Sequence, residues 1–258
     1  MTLPRTPSFR LDGRRALVAG ASSGIGEACA VALAEAGAEV TLAARRTDRL
    51  EALAGELAGA GLSARVLAMD VADVAATEAA IEAQVAQHGP FEVLVNSAGT
   101  ARHSRAVETR PEDFDAVSAL NFKGAYFLTR AVARGLIAAG RPGSLINISS
   151  QMAHVGGVDR AVYAATKHAV EGFTKSMAIE WGPHGIRINT ICPTFIRTPL
   201  TEPTFAQPER VKWIEEKIKL GRTGVVEDIM GPVVFLASEA SALVTGTALL
   251  VDGGWTAD

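Results

Sequence analysis

Cysteine is scarce in this 258-residue sequence, where Cys29 and Cys192 are the only two, and aromatic residues make up 5% of the chain. Two thiols exclude a disulfide-dense secreted scaffold and a four-cysteine zinc site, and each reads as a small buried hydrophobe. Neither charge sign dominates. Lys and Arg number 25 against 28 Asp and Glu, a net charge of -3, which removes the electrostatic basis for nucleic acid or a membrane surface as the main partner. Long apolar runs are missing too. A bilayer span needs about 20 apolar residues, and the most apolar early stretch, 25–40, is interrupted by Glu27, Glu35 and Glu39. The first ten residues carry Pro4 and Pro7 but no apolar core, unlike a signal peptide. The five histidines, His88, His103, His154, His168 and His184, show no metal-ligand spacing, so no metal is expected. These absences leave a cytoplasmic protein without a membrane segment.

Hydrophobic residues make up 48% of the chain and charged residues 21%, the balance of a globular protein that needs no metal or disulfide to hold it. No repeat, low-complexity block or linker divides it, so a single domain spanning 1–258 is expected. Short β-rich runs at 15–19, 39–43, 64–69, 92–96, 144–149, 187–191 and 248–251 alternate with alanine-rich helical stretches. The helices are expected at 24–36, 48–60, 73–88, 111–139, 161–181 and 227–238. Thr47, Asp73 and Thr109 suit helix starts, while Gly37, Gly61, Gly89 and Gly140 suit helix ends. Several strands are continuous apolar runs, as in Val93-Leu94-Val95, which fits strands covered on both faces. The alternation predicts an α/β fold: a doubly wound, Rossmann-like parallel sheet of about seven strands with helices on both faces. Residues 198–224, with Pro199, Pro203, Pro208 and a short charged helix at 209–219, interrupt the rhythm. An insertion of this kind reads as a lid over a substrate.

The first strand runs into Gly20-Ala21-Ser22-Ser23-Gly24-Ile25-Gly26, followed at once by a helix. Glycines there permit a tight turn and let backbone N–H groups approach a pyrophosphate at the helix N-terminus. The same residues spell G-x-S-x-G, the nucleophile elbow of serine hydrolases. That elbow needs an oxyanion loop from an earlier strand, and only 19 residues precede Gly20. A P-loop is excluded because no G-K-[ST] closes the turn. The second strand ends without an acidic residue for a ribose 2′-hydroxyl and runs instead into Arg45-Arg46. Guanidinium groups suit a 2′-phosphate. NADP is therefore the expected cofactor, with NAD the other option.

Tyr163 and Lys167 are spaced i, i+4 in an expected helix, which puts phenol and ammonium on one face. A cation beside a phenol favours the phenolate, so such a phenol can give or take a proton. Ser150, 13 residues before Tyr163, follows Asn147 at a strand end, and Asn96-Ser97-Ala98-Gly99 closes another strand. With the glycine turn and Asn121, these motifs resemble the short-chain dehydrogenase/reductase family over nearly the whole chain.

The resemblance implies an NAD(P)-dependent oxidoreductase acting on a small carbonyl or secondary alcohol. It implies that Tyr163 is the general acid/base, that Lys167 assists it and holds the nicotinamide ribose, and that Ser150 hydrogen-bonds the substrate oxygen. Ser149 is the lesser candidate for that last role. Asn121 resembles the asparagine that holds a proton-relay water. On the cofactor side the resemblance implicates Gly20, Ser22, Ser23, Gly24, Ile25 and Gly26 of the glycine turn, together with Arg45 and Arg46. Asp70 and Val71 would meet the adenine, and Asn96, Ala98 and Gly99 the adenosine side. Pro193, the backbone of Ile196 and Thr198 would meet the nicotinamide end. Ala19 replaces a common threonine, Ser97 a common asparagine, and Thr194 the usual glycine after proline; Thr194 falls on the substrate side.

Within the family, the 150–154 and 192–199 segments most resemble members acting on polyols and sugar acids, such as gluconate 5-dehydrogenase, and also 3-oxoacyl-carrier-protein reductase. Gln151, His154, Arg102 and Arg160 are candidates to line a polar pocket. A carrier-protein substrate calls for a basic patch, and Lys212, Lys217 and Lys219 are offset by Glu215 and Glu216. A catalytically silent nucleotide-binding protein is the alternative of another class, and the intact Ser150, Tyr163 and Lys167 count against it. The two long helices carry apolar residues such as Ala161, Ala164, Ala165, Ala169, Phe173 and Met177 beyond what one sheet face covers. Family members pair these helices between subunits, which implies a homotetramer.

Overall fold

The computed structural model describes residues 3–257; Met1, Thr2 and Asp258, part of the expected 1–258 domain, lie outside the described residues. Seven parallel strands form one sheet in the order β3-β2-β1-β4-β5-β6-β7. They are β1 (Arg15–Ala19), β2 (Glu39–Ala44), β3 (Ala64–Ala68), β4 (Val93–Asn96), β5 (Gly143–Ile148), β6 (Ile186–Pro193) and β7 (Ala248–Val251). The doubly wound sheet is the one expected. Strand order reverses between β1 and β4, and the crevice there, at the carboxyl ends of the strands, is where such sheets hold ligands.

The period of two along β1 divides the core. Ala16 and Val18 face one layer, packed by α1 (Gly24–Glu35), α2 (Thr47–Gly59) and α9 (Glu227–Ala237) through Leu33, Leu53 and Val233. Leu17 and Ala19 face the other, packed by α3 (Val74–His88), α5 (Ala125–Ala139) and α6 (Ala161–Trp181) through Ile81, Leu128 and Phe173. Every side chain of β1 from Ala16 to Ala19 is inaccessible to water, as in a strand covered on both faces.

Two local expectations are corrected. The helix expected at 111–139 is α4 (Pro111–Ser118) and α5 joined by a π-helical turn, Ala119–Gly124. Sequence periodicity does not register one wide turn. Asn121 in this turn is bound by the Thr100 backbone, and Gly124 passes so close to Val71 that a Cβ there would lie 2.5 Å from the Val71 carbonyl oxygen. Thr47 and Thr109 are not caps; the cap positions are Arg46 and Arg110, with no side-chain bond. Asp73 does cap α3, accepting from the Ala76 N–H at 3.0 Å.

Residues 198–224 leave the sheet after β6 and carry α7 (Glu202–Phe205) and α8 (Pro208–Lys217). A backbone bridge between Ile196 and Gly224 closes their neck, with Gly224 N–H donating to Phe195 C=O at 3.0 Å.

Candidate active site

A cavity of about 510 Å³ opens along the carboxyl ends of the strands. Its near end is the turn after β1. Gly20 has φ +81, and a Cβ on it would lie 2.8 Å from the Ala98 backbone nitrogen. A Cβ on Gly26 would run into the Gly20 carbonyl oxygen, so only a bare backbone lets α1 start so close to the sheet. Ser22, Ser23, Gly24 and Ile25 line the cavity; Gly26 lies just beneath them. Ser23, at the N-cap position, makes no cap bond. Instead Arg46 donates to Ser22 Oγ at 2.9 Å and to Ser23 Oγ at 2.8 Å. Arg45, 73% exposed, stands 3.9 Å from Asp70. Asp70, Val71, Ala98 and Gly99 complete this end. Bare glycine backbone, two serine hydroxyls and two guanidiniums make a cradle that fits a dinucleotide with a phosphorylated ribose.

The far end is built on α6 and the ends of β5 and β6. Tyr163 and Lys167 sit one turn apart, with Lys167 Nζ 5.6 Å from the phenol ring centre. Lys167 is buried and donates to the Ile148 carbonyl at 2.8 Å. Asn121 faces the same spot: its Oδ1 accepts from the Thr100 N–H and its Nδ2 donates to the Thr100 C=O, both at 2.8 Å. A Cβ on Gly99 would lie 3.4 Å from Asn121 Oδ1 and 3.9 Å from Lys167 Nζ, so the 96–99 turn, the π turn and α6 converge there. Ser150 Oγ accepts from the Met152 N–H at 3.1 Å. Ser149 also lines the cavity, with its Oγ buried. Pro193, Thr194, Ile196 and Thr198 form the opposing wall.

Several expected site residues stand back from the cavity. Asn96 donates to Asn147 Oδ1 at 3.1 Å and accepts from the Ala98 N–H at 3.2 Å, so it shapes the turn from below. Gln151 is buried, its amide atoms without partners among the described residues. Arg102 turns aside to Asp113 at 2.7 Å. His154 points behind β6, where one ligand-type atom each from His154, Glu171 and Cys192 lie within 4.8 Å of one another. Their sequence spacing did not reveal this grouping. Glu171 is already engaged by the Thr190 hydroxyl at 2.9 Å and the Cys192 thiol at 3.4 Å. Burial pushes the thiols of Cys192 and Cys29 up to about 12.

Sequence reasoning missed His103. Its ring meets the Tyr163 ring edge-on at 6.0 Å. Solvent reaches one side of it, yet packing against the protein, then Arg160 and Arg210, push the imidazole down to about 4. It also missed the aromatic chain Phe195–Trp255–Trp213, with ring centres 5.6 and 5.4 Å apart. These residues come from four distant segments and share no spacing that a motif records.

A doubly wound sheet with a glycine turn at its switch point, and a phenol–ammonium pair beyond it, defines a dinucleotide-dependent oxidoreductase. Residues 20–256 match the family described as enoyl-(acyl carrier protein) reductase. The chain is 41% identical to D-erythrulose reductase of Gallus gallus, covering 96% of this chain and 98% of that one. It is 40% identical to gluconate 5-dehydrogenase of Gluconobacter oxydans, covering 96% of each. Its fold superposes with TM-score 0.94 on a gluconate 5-dehydrogenase from Burkholderia cenocepacia solved with NADP and tartrate, 38% identical, over 97% of this chain and 98% of that one. The chain belongs to the short-chain dehydrogenase/reductase family and is an NAD(P)-dependent enzyme, as its motifs led one to expect.

Proposed function

We propose that the protein transfers a hydride between NADP(H) and a carbonyl or secondary alcohol on a small polyol or sugar acid. The observation that carries this reading is the cavity itself, with two arginines and two serines at one end and Tyr163, Lys167, Ser149 and Ser150 at the other. The nicotinamide supplies or accepts the hydride when bound. The chain's own groups hold and move the proton. Tyr163 donates it from its phenol to the carbonyl oxygen in reduction and takes it from the hydroxyl in oxidation. Lys167 stabilises the phenolate that reduction leaves, and Ser150 orients the substrate oxygen. Asn121 holds a water that returns the proton to Tyr163 through Lys167.

The remaining contacts follow the cavity wall. Arg45, Arg46, Ser22 and Ser23 take the 2′-phosphate, and Gly20, Gly24, Ile25 and Gly26 the pyrophosphate. Asp70 and Val71 meet the adenine, with Ala98 and Gly99 on its ribose side and Asn96 behind them holding the turn. Pro193, Ile196 and Thr198 meet the nicotinamide. Thr194 faces the substrate. The relatives' names support a polyol or sugar-acid substrate, and the NADP complex of a relative supports the cofactor. Neither of these relatives is named for a carrier-protein substrate.

The chain is further proposed to be a single domain with 198–224 as its lid, cytoplasmic, and a homotetramer. Among the described residues no helix is long and apolar enough to cross a membrane. The exposed faces of Phe122 and Tyr126, stacked and edge-on to Phe173, are apolar surface that a second subunit would cover. Titration with NADPH and NADH, followed by turnover in both directions over a panel of polyols, ketoses and sugar acids, tests the function. Tighter NADH binding overturns the cofactor, and no turnover overturns the reaction. Sedimentation velocity tests the assembly; a monomer at micromolar concentration overturns it.

A further inference from the structure

Glu171 of α6 is buried with no cation beside it: no lysine or arginine nitrogen lies within 4.0 Å of its carboxylate among the described residues. Its neighbours come from β6. Oε2 accepts from the Thr190 hydroxyl at 2.9 Å, and Oε1 accepts from the Cys192 thiol at 3.4 Å. A third group closes the cluster from outside. A ring nitrogen of His154, which is exposed, lies within 4.8 Å of both the Cys192 Sγ and a Glu171 oxygen. An acid shut away from water without a counter-charge is costly. A thiol, a carboxylate and an imidazole in one place are the donors that a borderline-soft divalent cation takes.

Spacing and surroundings fit that use. Zinc bonds of about 2.3 Å to sulfur and about 2.0–2.2 Å to oxygen set these two donors about 3.5 Å apart at the tetrahedral angle. Cys192 Sγ and Glu171 Oε1 already stand 3.4 Å apart. The Thr190 hydroxyl holds the other carboxylate oxygen, the kind of outer-shell bond that aims a ligating carboxylate. His154 completes the third bond by side-chain rotation at an exposed position, and the same opening gives the cation a way in. Burial and then the Glu171 charge push the Cys192 thiol up to about 12; a cation reverses that by taking the proton's place on sulfur. One carboxylate and one thiolate then balance two positive charges inside the fold. Histidine spacing in the sequence does not bear on such a site, because its ligands come from the end of the 150–154 turn, α6 and β6.

We propose that His154, Glu171 and Cys192 bind one divalent cation of the zinc class behind Ser149 and Ser150, with water in the fourth position. As the bond to sulfur forms, the thiol releases its proton to solvent and no electron is transferred. His154 ends the turn that Ser150 begins, and Pro193, which lines the cavity, follows Cys192. The cation therefore ties the serine turn to α6 and β6. The site stands whatever substrate the enzyme turns over.

The test adds cobalt(II), a spectroscopic stand-in for zinc, to the full-length protein after chelation and dialysis. Wild type should develop a thiolate-to-cobalt charge-transfer band and the intense visible bands of a tetrahedral centre, saturating at one equivalent. Zinc should erase both, whereas excess magnesium, which prefers oxygen donors, should erase neither. Cys192→Ser should abolish the charge-transfer band, and Cys29→Ala should keep it. Glu171→Gln and His154→Gln should bind zinc at least about 100-fold more weakly in competition with a chelating dye, since outer-shell partners alone are worth about 10–100-fold. Zinc should raise the Tm of wild type and leave that of His154→Gln level at the same concentration.

Should Cys192→Ser fail to fold, His154→Gln, at an exposed position, carries the test. A cobalt spectrum without a thiolate band overturns the site. So does a band that survives Cys192→Ser or is lost in folded Cys29→Ala, and so does equal zinc affinity in wild type and His154→Gln.

Discussion

The two ends of the cavity are built in opposite ways. At the turn after β1 the working surface is main chain: glycines pressed against carbonyls, with side chains only at the rim. At the far end it is side chain, brought from the turn after β4, the end of β5, α6 and the end of β6, with the His103 ring edge-on to Tyr163. A main-chain cradle suits a ligand part that never varies. An assembly of side chains suits a part that differs from one relative to the next, because each piece can change without disturbing the sheet.

The sharpest way to test that contrast is to remove chemistry at one end and watch the other. Tyr163→Phe keeps the ring and deletes the proton. Loss of general acid–base catalysis predicts a fall in kcat of about 10²–10⁴-fold, with NADPH affinity unchanged by fluorescence titration. A near-normal kcat would falsify the role given to Tyr163.

Gly26→Ala attacks the cradle instead. Its Cβ would meet the Gly20 carbonyl, and overpacking of this kind costs about 1–3 kcal/mol. Thermal unfolding should show a lower Tm together with weakened NADPH binding. A lowered Tm with intact NADPH affinity would mean that the turn is structural and the cradle lies elsewhere.

A smaller effect separates rim from floor. Arg46→Ala removes the donor that now holds the two serine hydroxyls. NADPH should bind about 10-fold more weakly, the scale of one charge-assisted hydrogen bond, while NADH binding stays level. A parallel drop for both cofactors would sink the 2′-phosphate assignment.

The mildest effect is at the substrate end. His103 sits at about 4 in the folded chain against an ordinary 6.5. The unfolded chain therefore takes up a proton first as pH falls. His103 leaves stability unaffected at pH 7 and above, and withdraws it progressively as pH drops from 6.5 to 4. His103→Gln should flatten that part of the stability–pH curve, and an NMR titration of the ring should show a midpoint well below 6. A midpoint near 6.5 would place the ring in open solvent.

The same contrast explains what the sequence made legible. Strand and helix periodicity gave the sheet and its switch point, because burial on both faces leaves continuous apolar runs. The glycine turn was readable because its constraint falls on seven consecutive residues. Tyr163 and Lys167 were readable because a helix converts spacing into proximity. His103, Phe195 and Trp255 were not, since nothing local in Thr100-Ala101-Arg102-His103 says that its loop folds back onto α6. The π turn escaped for a related reason: the insertion is fixed by Val71 and Thr100, which lie outside the helix.

The two sealed thiols turn this architecture into a pair of clocks. Cys29 lies inside α1 behind the glycine turn, and Cys192 at the end of β6 behind the serines, both shut away from water. With their pKa pushed up to about 12, neither carries appreciable thiolate at neutral pH while the protein is closed, and alkylating reagents react with the thiolate. Each labelling rate therefore counts local openings rather than chemistry. A dinucleotide that grips the near end should slow the Cys29 clock. The Cys192 clock, behind the serines at the other end, should keep its pace.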